Sequence, residues 1–155
     1  SVTGVQTCAL PICYVSLTEV SEYAKGMPEA MLNARLFPTV PPTAAHMPAW
    51  CFYPMSKKRE GHANWFTEEY ERRSALMHEH GTSGRKFAGR VVQYVTGSTG
   101  LDDYEWGVTL FAVNPDDLKE VVYTMRFDEG SAVYGIFGPF YTGMVVPVEE
   151  LVATL

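Results

Sequence analysis

The sequence predicts an α+β fold, a ferredoxin-like (βαββαβ) antiparallel sheet with its helices on one face. Three observations carry this prediction. Segments 50–57, 90–96, 104–112 and 137–146 read as strands, and two segments beginning near residues 67 and 114 show helical spacing. Their order is strand, helix, strand, strand, helix, strand. At 46% hydrophobic and 19% charged, 155 residues can bury one core, which excludes a disordered, collagenous or coiled-coil chain.

The elements follow in chain order. Residues 1–12 (SVTGVQTCALPI) carry neither a basic region nor an apolar run of signal-peptide length. They resemble the translation of a sequencing adapter and are expected to be foreign to the fold. Tyr14–Tyr23 suggests a short strand entering a polar turn, and Pro28–Arg35 one or two helical turns. Pro38, Pro41, Pro42 and Pro48 make the next stretch a linker. The expected organisation is therefore a terminal segment (1–12), a leading piece with the linker (13–49) and the sheet-forming unit (50–155).

Along Trp50–Lys57, alternation puts Cys51, Tyr53, Met55 and Lys57 on one face, and Pro54 predicts an edge strand or a strand end. Thr67 is a candidate helix cap with Glu68 and Glu69 in the first turn. Tyr70, Arg73, Met77 and His80 then form a stripe, and Gly81 is a natural stop. Strands Arg90–Thr96 and Tyr104–Ala112 flank the turn-rich Gly97–Asp103. Asn114 and Pro115 open the second helix, buried along Leu118, Val121, Val122 and Met125. Phe137–Val146 is the last strand and Val148–Leu155 a terminal helix.

A net charge of −6 argues against a nucleic-acid surface, and any anionic ligand must be met by local cations. No run of about 18 apolar residues is present to span a membrane. Cys8, Cys13 and Cys51 lack CxxC spacing, and His46, His62, His78 and His80 fall into no metal-binding pattern, so a zinc site and a disulfide scaffold are weak readings. A cytoplasmic location is the default. Nine Tyr, eight Phe and three Trp could wall a flat ligand, although core packing uses aromatics more often.

Each candidate for chemistry has a plainer alternative. His80, near the end of its helix and on the stripe with Met77, suits an axial ligand to haem iron or a satisfied core histidine. Tyr53 and Lys57 put an oxidisable phenol and a carboxylate-binding ammonium on one strand face, or form an ordinary strand with a snorkelling lysine. Arg126, Ser131 and Arg35 could receive further carboxylates, or belong to solvated surface. Gln93 places an amide among Val91 and Val95, as a ligand contact or a structural group.

These segments together resemble one family. RLFP (residues 35–38), CFYPMSKKR (51–59), NW (64–65), ERRSALMHEHG (71–81), GRKFAGRVVQ (84–93), TGSTGLDDYEWGVTLFA (96–112), YTMRFDEGSA (123–132) and FGPFYTG (137–143) are similar to the haem-synthesis branch of the chlorite dismutase superfamily. The likeness covers almost everything after Tyr14.

It implies a subunit of two ferredoxin-like repeats forming a dimeric α+β barrel, of which this chain holds the second repeat and the tail of the first. It implies that His80 is the axial iron ligand, Gln93 the distal glutamine, Tyr53 the redox-active tyrosine and Lys57 a propionate partner. Arg35, Arg126 and Ser131 match positions for the other propionates, and Met55 and Trp65 match pocket walls. The implied reaction is peroxide-dependent decarboxylation of iron coproporphyrin III to haem b, the macrocycle being both substrate and redox cofactor. A homo-oligomer, typically a homopentamer, and transient contact with coproporphyrin ferrochelatase are implied as well. The alternatives are a chlorite dismutase-like haem enzyme, against which Gln93 stands where that activity uses an arginine, and an inactive haem-binding or dimerising module.

Overall fold

The computed structural model describes residues 13–42 and 46–153; residues 1–12 of the first segment, with Cys8, lie outside it. The architecture is the expected antiparallel sheet with helices packed on one face. Its strands are β1 (Leu17–Thr18), β2 (Ala49–Lys57), β5 (Val91–Gly97), β6 (Trp106–Ala112), β7 (Gly135–Phe137) and β8 (Tyr141–Met144). β3 (Arg59–Glu60) and β4 (Ala63–Asn64) form a separate small hairpin, which the sequence reading did not contain. The helices are α1 (Glu29–Leu36), α2 (Tyr70–Arg85), α3 (Pro115–Met125), α4 (Glu129–Ala132) and α5 (Val148–Ala153).

The sheet order is β1-β5-β6-β2-β7, with β8 also paired to β2. The register sets Tyr53 opposite Val108, and Met55 between Trp106 and Phe137. Directly opposed residues share a face, so Cys51, Tyr53, Val108, Leu110, Ala112 and Val91 form one apolar layer. Phe87 and the α3 residues Leu118 and Val121 cover it. Asn114 and Asp117 make the capping box that starts α3. The opposite face carries half-buried Trp50 and Phe52, with Phe52 edge-on to Tyr14 at 5.2 Å and stacked on Tyr141 at 6.4 Å.

Four local expectations are corrected. The helix after β2 is not capped by Thr67: Asn64 accepts from the Phe66 N–H, Thr67 donates to the Asn64 carbonyl, and α2 begins at Tyr70 with only Glu71 of the acids in its first turn. Nor does Gly81 stop it. The helix runs on to Arg85 because Ser83 is buried against Asp128 and Met125 of α3 packs beside Gly84. Tertiary contacts there outweigh the cost of glycine in a helix.

Pro54 lies inside the sheet rather than at an edge or a strand end. Pairing of β2 passes from β7 at Met55 to β8 at Phe52, so the proton-less nitrogen falls at the break between those two short strands. For the same reason Phe137–Val146 is two strands and not one. At that break Gly138 donates to the Pro54 carbonyl (2.8 Å), and a Cβ on Gly138 would stand 2.7 Å from the Pro54 ring and 2.8 Å from the Tyr104 ring. Gly138→Ala is therefore expected to destabilise the chain by about 1–3 kcal/mol through overpacking. Denaturant melts would show it, and an unchanged midpoint would mean that the break is looser than its contacts imply.

Candidate functional site

The helix-covered face of β2 ends in Tyr53, Met55 and Lys57, because alternation aims every second residue inward. Tyr53 is 8% exposed and stacks on Phe140 at 4.4 Å, with Phe137 tilted against it at 5.9 Å. Burial raises its phenol well above the ordinary tyrosine range; Cys51 adds to the rise and the nearby Arg126 charge opposes it. The group therefore stays a protonated phenol, able to give up an electron and a proton together but not to act as a phenolate.

Lys57 is equally buried, at 8% exposure. Its Nζ donates to the Gly130 carbonyl (2.6 Å) and lies 4.4 Å from the centre of the Trp65 ring. Burial pushes the ammonium down to about 8, against the attraction of Glu105. Trp65 is 4% exposed and meets Tyr134 edge-on at 5.3 Å.

His80 projects from α2 onto the turn that joins α3 to α4. Its Nδ1 lies 3.1 Å from the Asp128 carboxylate, which also accepts from the Ser83 hydroxyl at 2.6 Å. The Ser131 hydroxyl stands 3.4 Å from the same nitrogen. A carboxylate can only accept, so Nδ1 carries the proton and Nε2 keeps its lone pair. Burial foremost, and then the Lys57 charge, lower the imidazolium below the usual histidine range, while Asp128 favours the charged form. At neutral pH this is a neutral, oriented imidazole, the form a metal requires.

Among the described residues no group of three His, Cys, Asp or Glu could hold a metal ion. A single imidazole can serve only a metal whose other ligands arrive with it, and a macrocycle-bound iron meets that condition. The residues present thus fit an iron porphyrin better than a bare ion.

Arg126 extends from the end of α3 with its guanidinium 5.0 Å from the Phe137 ring and 5.9 Å from Phe140. Beside it is a cavity of about 380 Å³ lined by Cys51, Leu118, Val122, Arg126, Phe140 and Thr142. The structure therefore gathers His80, Lys57, Trp65 and Ser131 around α2 and α4, and Tyr53, Met55 and Arg126 beside them. Gln93 shares the face of Tyr53 by register but is exposed on β5, two strands from β2. Arg35 is exposed on α1, which is tied to the β1 edge by the Thr18 hydroxyl on the Leu36 carbonyl. Among the described residues no ion pair joins it to the others. His46 is exposed.

Sequence reasoning missed Asp128, Ser83, Phe140 and Glu105. Asp128 sits 48 positions from His80, so no spacing rule could pair them. The one available signal was an acid just ahead of the short segment that ends in Ser131.

A model of the chlorite dismutase family matches residues 3–146. The chain is 48% identical over 144 residues to coproheme decarboxylase of Staphylococcus carnosus, covering 89% of this chain and 56% of that one. A haem-binding protein from Thermus thermophilus superposes with a TM-score of 0.75 at 47% identity, over 80% of this chain and 49% of its own. A substituted chlorite dismutase from Candidatus Nitrospira defluvii gives 0.71 over 90% of this chain and 56% of its own; at 24% identity it speaks for the fold alone. The chain spans about half the length of the relatives it matches. No helix among the described residues is long and apolar enough to cross a membrane.

Proposed function

Because the chain belongs to the chlorite dismutase family, we propose that it forms the site-bearing part of a coproheme decarboxylase, which converts iron coproporphyrin III to haem b in haem synthesis. The observation that carries this reading is the neutral imidazole of His80, oriented by Asp128, next to the sheet face that holds an un-ionised Tyr53 and the ammonium of Lys57. The 48% identity to the S. carnosus coproheme decarboxylase supports the substrate class.

In this reading His80 Nε2 would hold the iron, and Asp128 keeps the ring from turning. Lys57 and Arg126 bind propionates; Ser131 and Arg35 are assigned to the remaining ones, Gln93 to the other face of the macrocycle, and Met55 and Trp65 to its walls. An acidic chain that binds a tetracarboxylate needs such placed cations. The iron centre supplies oxidising power when peroxide is added. Tyr53 then gives up one electron and its phenolic proton, and the resulting phenoxyl takes a hydrogen atom from the β-carbon of a propionate. Loss of a second electron and of carbon dioxide leaves a vinyl group. Each propionic acid and one hydrogen peroxide give one vinyl group, one carbon dioxide and two waters, so atoms and electrons balance. The residues' task is orientation, which places one propionate against one phenol.

The test is mass spectrometry of the porphyrin after stepwise peroxide addition to the complex with iron coproporphyrin III. Successive losses are expected as two propionates become vinyl groups. Persistence of the four-propionate species would sink the proposal.

A further inference from the structure

Glu105 has entered so far only through its attraction on Lys57, yet it is 6% exposed, and a carboxylate so buried needs partners. One carboxylate oxygen accepts from the main-chain N–H of Lys57 at 2.9 Å. The other pairs with the Arg59 guanidinium. Its own N–H donates to the Met55 carbonyl (3.1 Å) and lies 3.2 Å from the Ser56 hydroxyl, and its carbonyl accepts from Ser98 at 2.8 Å. Three consecutive residues of β2, from Met55 to Lys57, are thus gripped by a single residue at the entry to β6.

The consequence falls on Lys57. Its ammonium is taken from water and held by the Gly130 carbonyl and the Trp65 ring, neither of which bears a full charge. The titratable groups that act on it are Glu105, which attracts it, and the neutral His80 of α2, whose charged form it disfavours; Arg59 pairs with Glu105, and Asp128 of the turn before α4 with His80. Asp128 is occupied by His80 and Ser83. Glu105 is the anion attracting Lys57, and Arg59 shares that carboxylate. An ammonium has three N–H donors, and one directed at Gly130 leaves others for a ligand carboxylate.

We propose that Glu105 is a positioning residue for Lys57: it clamps the end of β2 through the Lys57 N–H and Arg59, and supplies the charge that keeps the ammonium ready for an anionic group of the substrate. In its ligand arm this rests on the porphyrin reading above; the clamp and the charge pairing do not.

The experiment uses two variants with opposite expectations. Glu105→Gln keeps an oxygen for the Lys57 N–H but removes the charge, so the ammonium should titrate lower than in the wild type, by about one pH unit. Arg59→Ala removes the cation that shares Glu105, so the same ammonium should titrate higher. Both are read by NMR of the Lys57 ε-carbon in the ligand-free chain. Titration that is unchanged in both variants, or that moves in the same direction in both, overturns the proposal, because structural damage alone would not produce opposite shifts.

The second arm measures binding of iron coproporphyrin III. Near pH 7.5, Glu105→Gln should bind it about threefold more weakly, with the difference vanishing near pH 6, where the ammonium is charged in both forms. In a Lys57→Met background the Glu105→Gln loss should disappear. A loss that persists there contradicts the role of Glu105 through Lys57. If the NMR shifts appear and the wild type binds no porphyrin, the functional reading fails and the pairing of Glu105 with Lys57 stands.

Discussion

Tyr53→Phe is expected to bind iron coproporphyrin III as the wild type does and to form no vinyl product, a fall in turnover of at least about 10³-fold, or roughly 4 kcal/mol of barrier. The asymmetry comes from how the side chain is held. The ring carries the packing, stacked on Phe140 and tilted against Phe137, and phenylalanine reproduces it. The hydroxyl makes no hydrogen bond among the described residues, so its removal leaves no partner stranded and stability should change by less than about 1 kcal/mol. What is lost is the oxidisable O–H. Stopped-flow spectra and product masses after peroxide separate the two effects, and normal vinyl yield in the variant would remove Tyr53 from the chemistry.

His80→Ala should act on the metal and on the fold together. Without the imidazole a bound iron would lack the nitrogen that His80 offers, and the absorption and electron-spin signatures of the porphyrin complex should change. The substitution also leaves Asp128 buried with Ser83 alone for company, a cost of about 1–3 kcal/mol. Added imidazole separates the contributions. It should restore the iron spectrum by entering the vacated space, while the thermal midpoint recovers only as far as the imidazole re-engages Asp128. An iron spectrum indifferent to the substitution would take His80 out of the axial position.

The sequence showed which faces are buried more reliably than where elements end. Alternation in β2 put Tyr53, Met55 and Lys57 on one face because a strand offers only two, and the stripe of α2 turned His80 toward the sheet for a similar reason. Boundaries failed where a distant contact overruled a local preference. Gly81 read as a terminator, yet Ser83 and Met125 reward continuing the helix. Pro54 read as an edge because the break between β7 and β8 that accommodates it is set by Gly138, far along the chain. The site divides in the same way. The residues in contiguous motifs were legible, whereas Asp128 and Glu105 act across gaps of 48 residues and declare themselves only once the chain has closed on itself.

The pairing of β2 also bears on how the chain is made. This strand holds the phenol and the ammonium, yet its neighbour on one side is β6 and on the other β7 and β8, all of them synthesised much later. During translation Trp50–Lys57 emerges with its main-chain donors and acceptors unanswered; one border can close once Ala112 has left the ribosome, and the other only after Met144. The strand that holds the phenol and the ammonium thus keeps one border open until late. Pro54, with no N–H to offer, interrupts the ladder that a stray strand could form there during that wait.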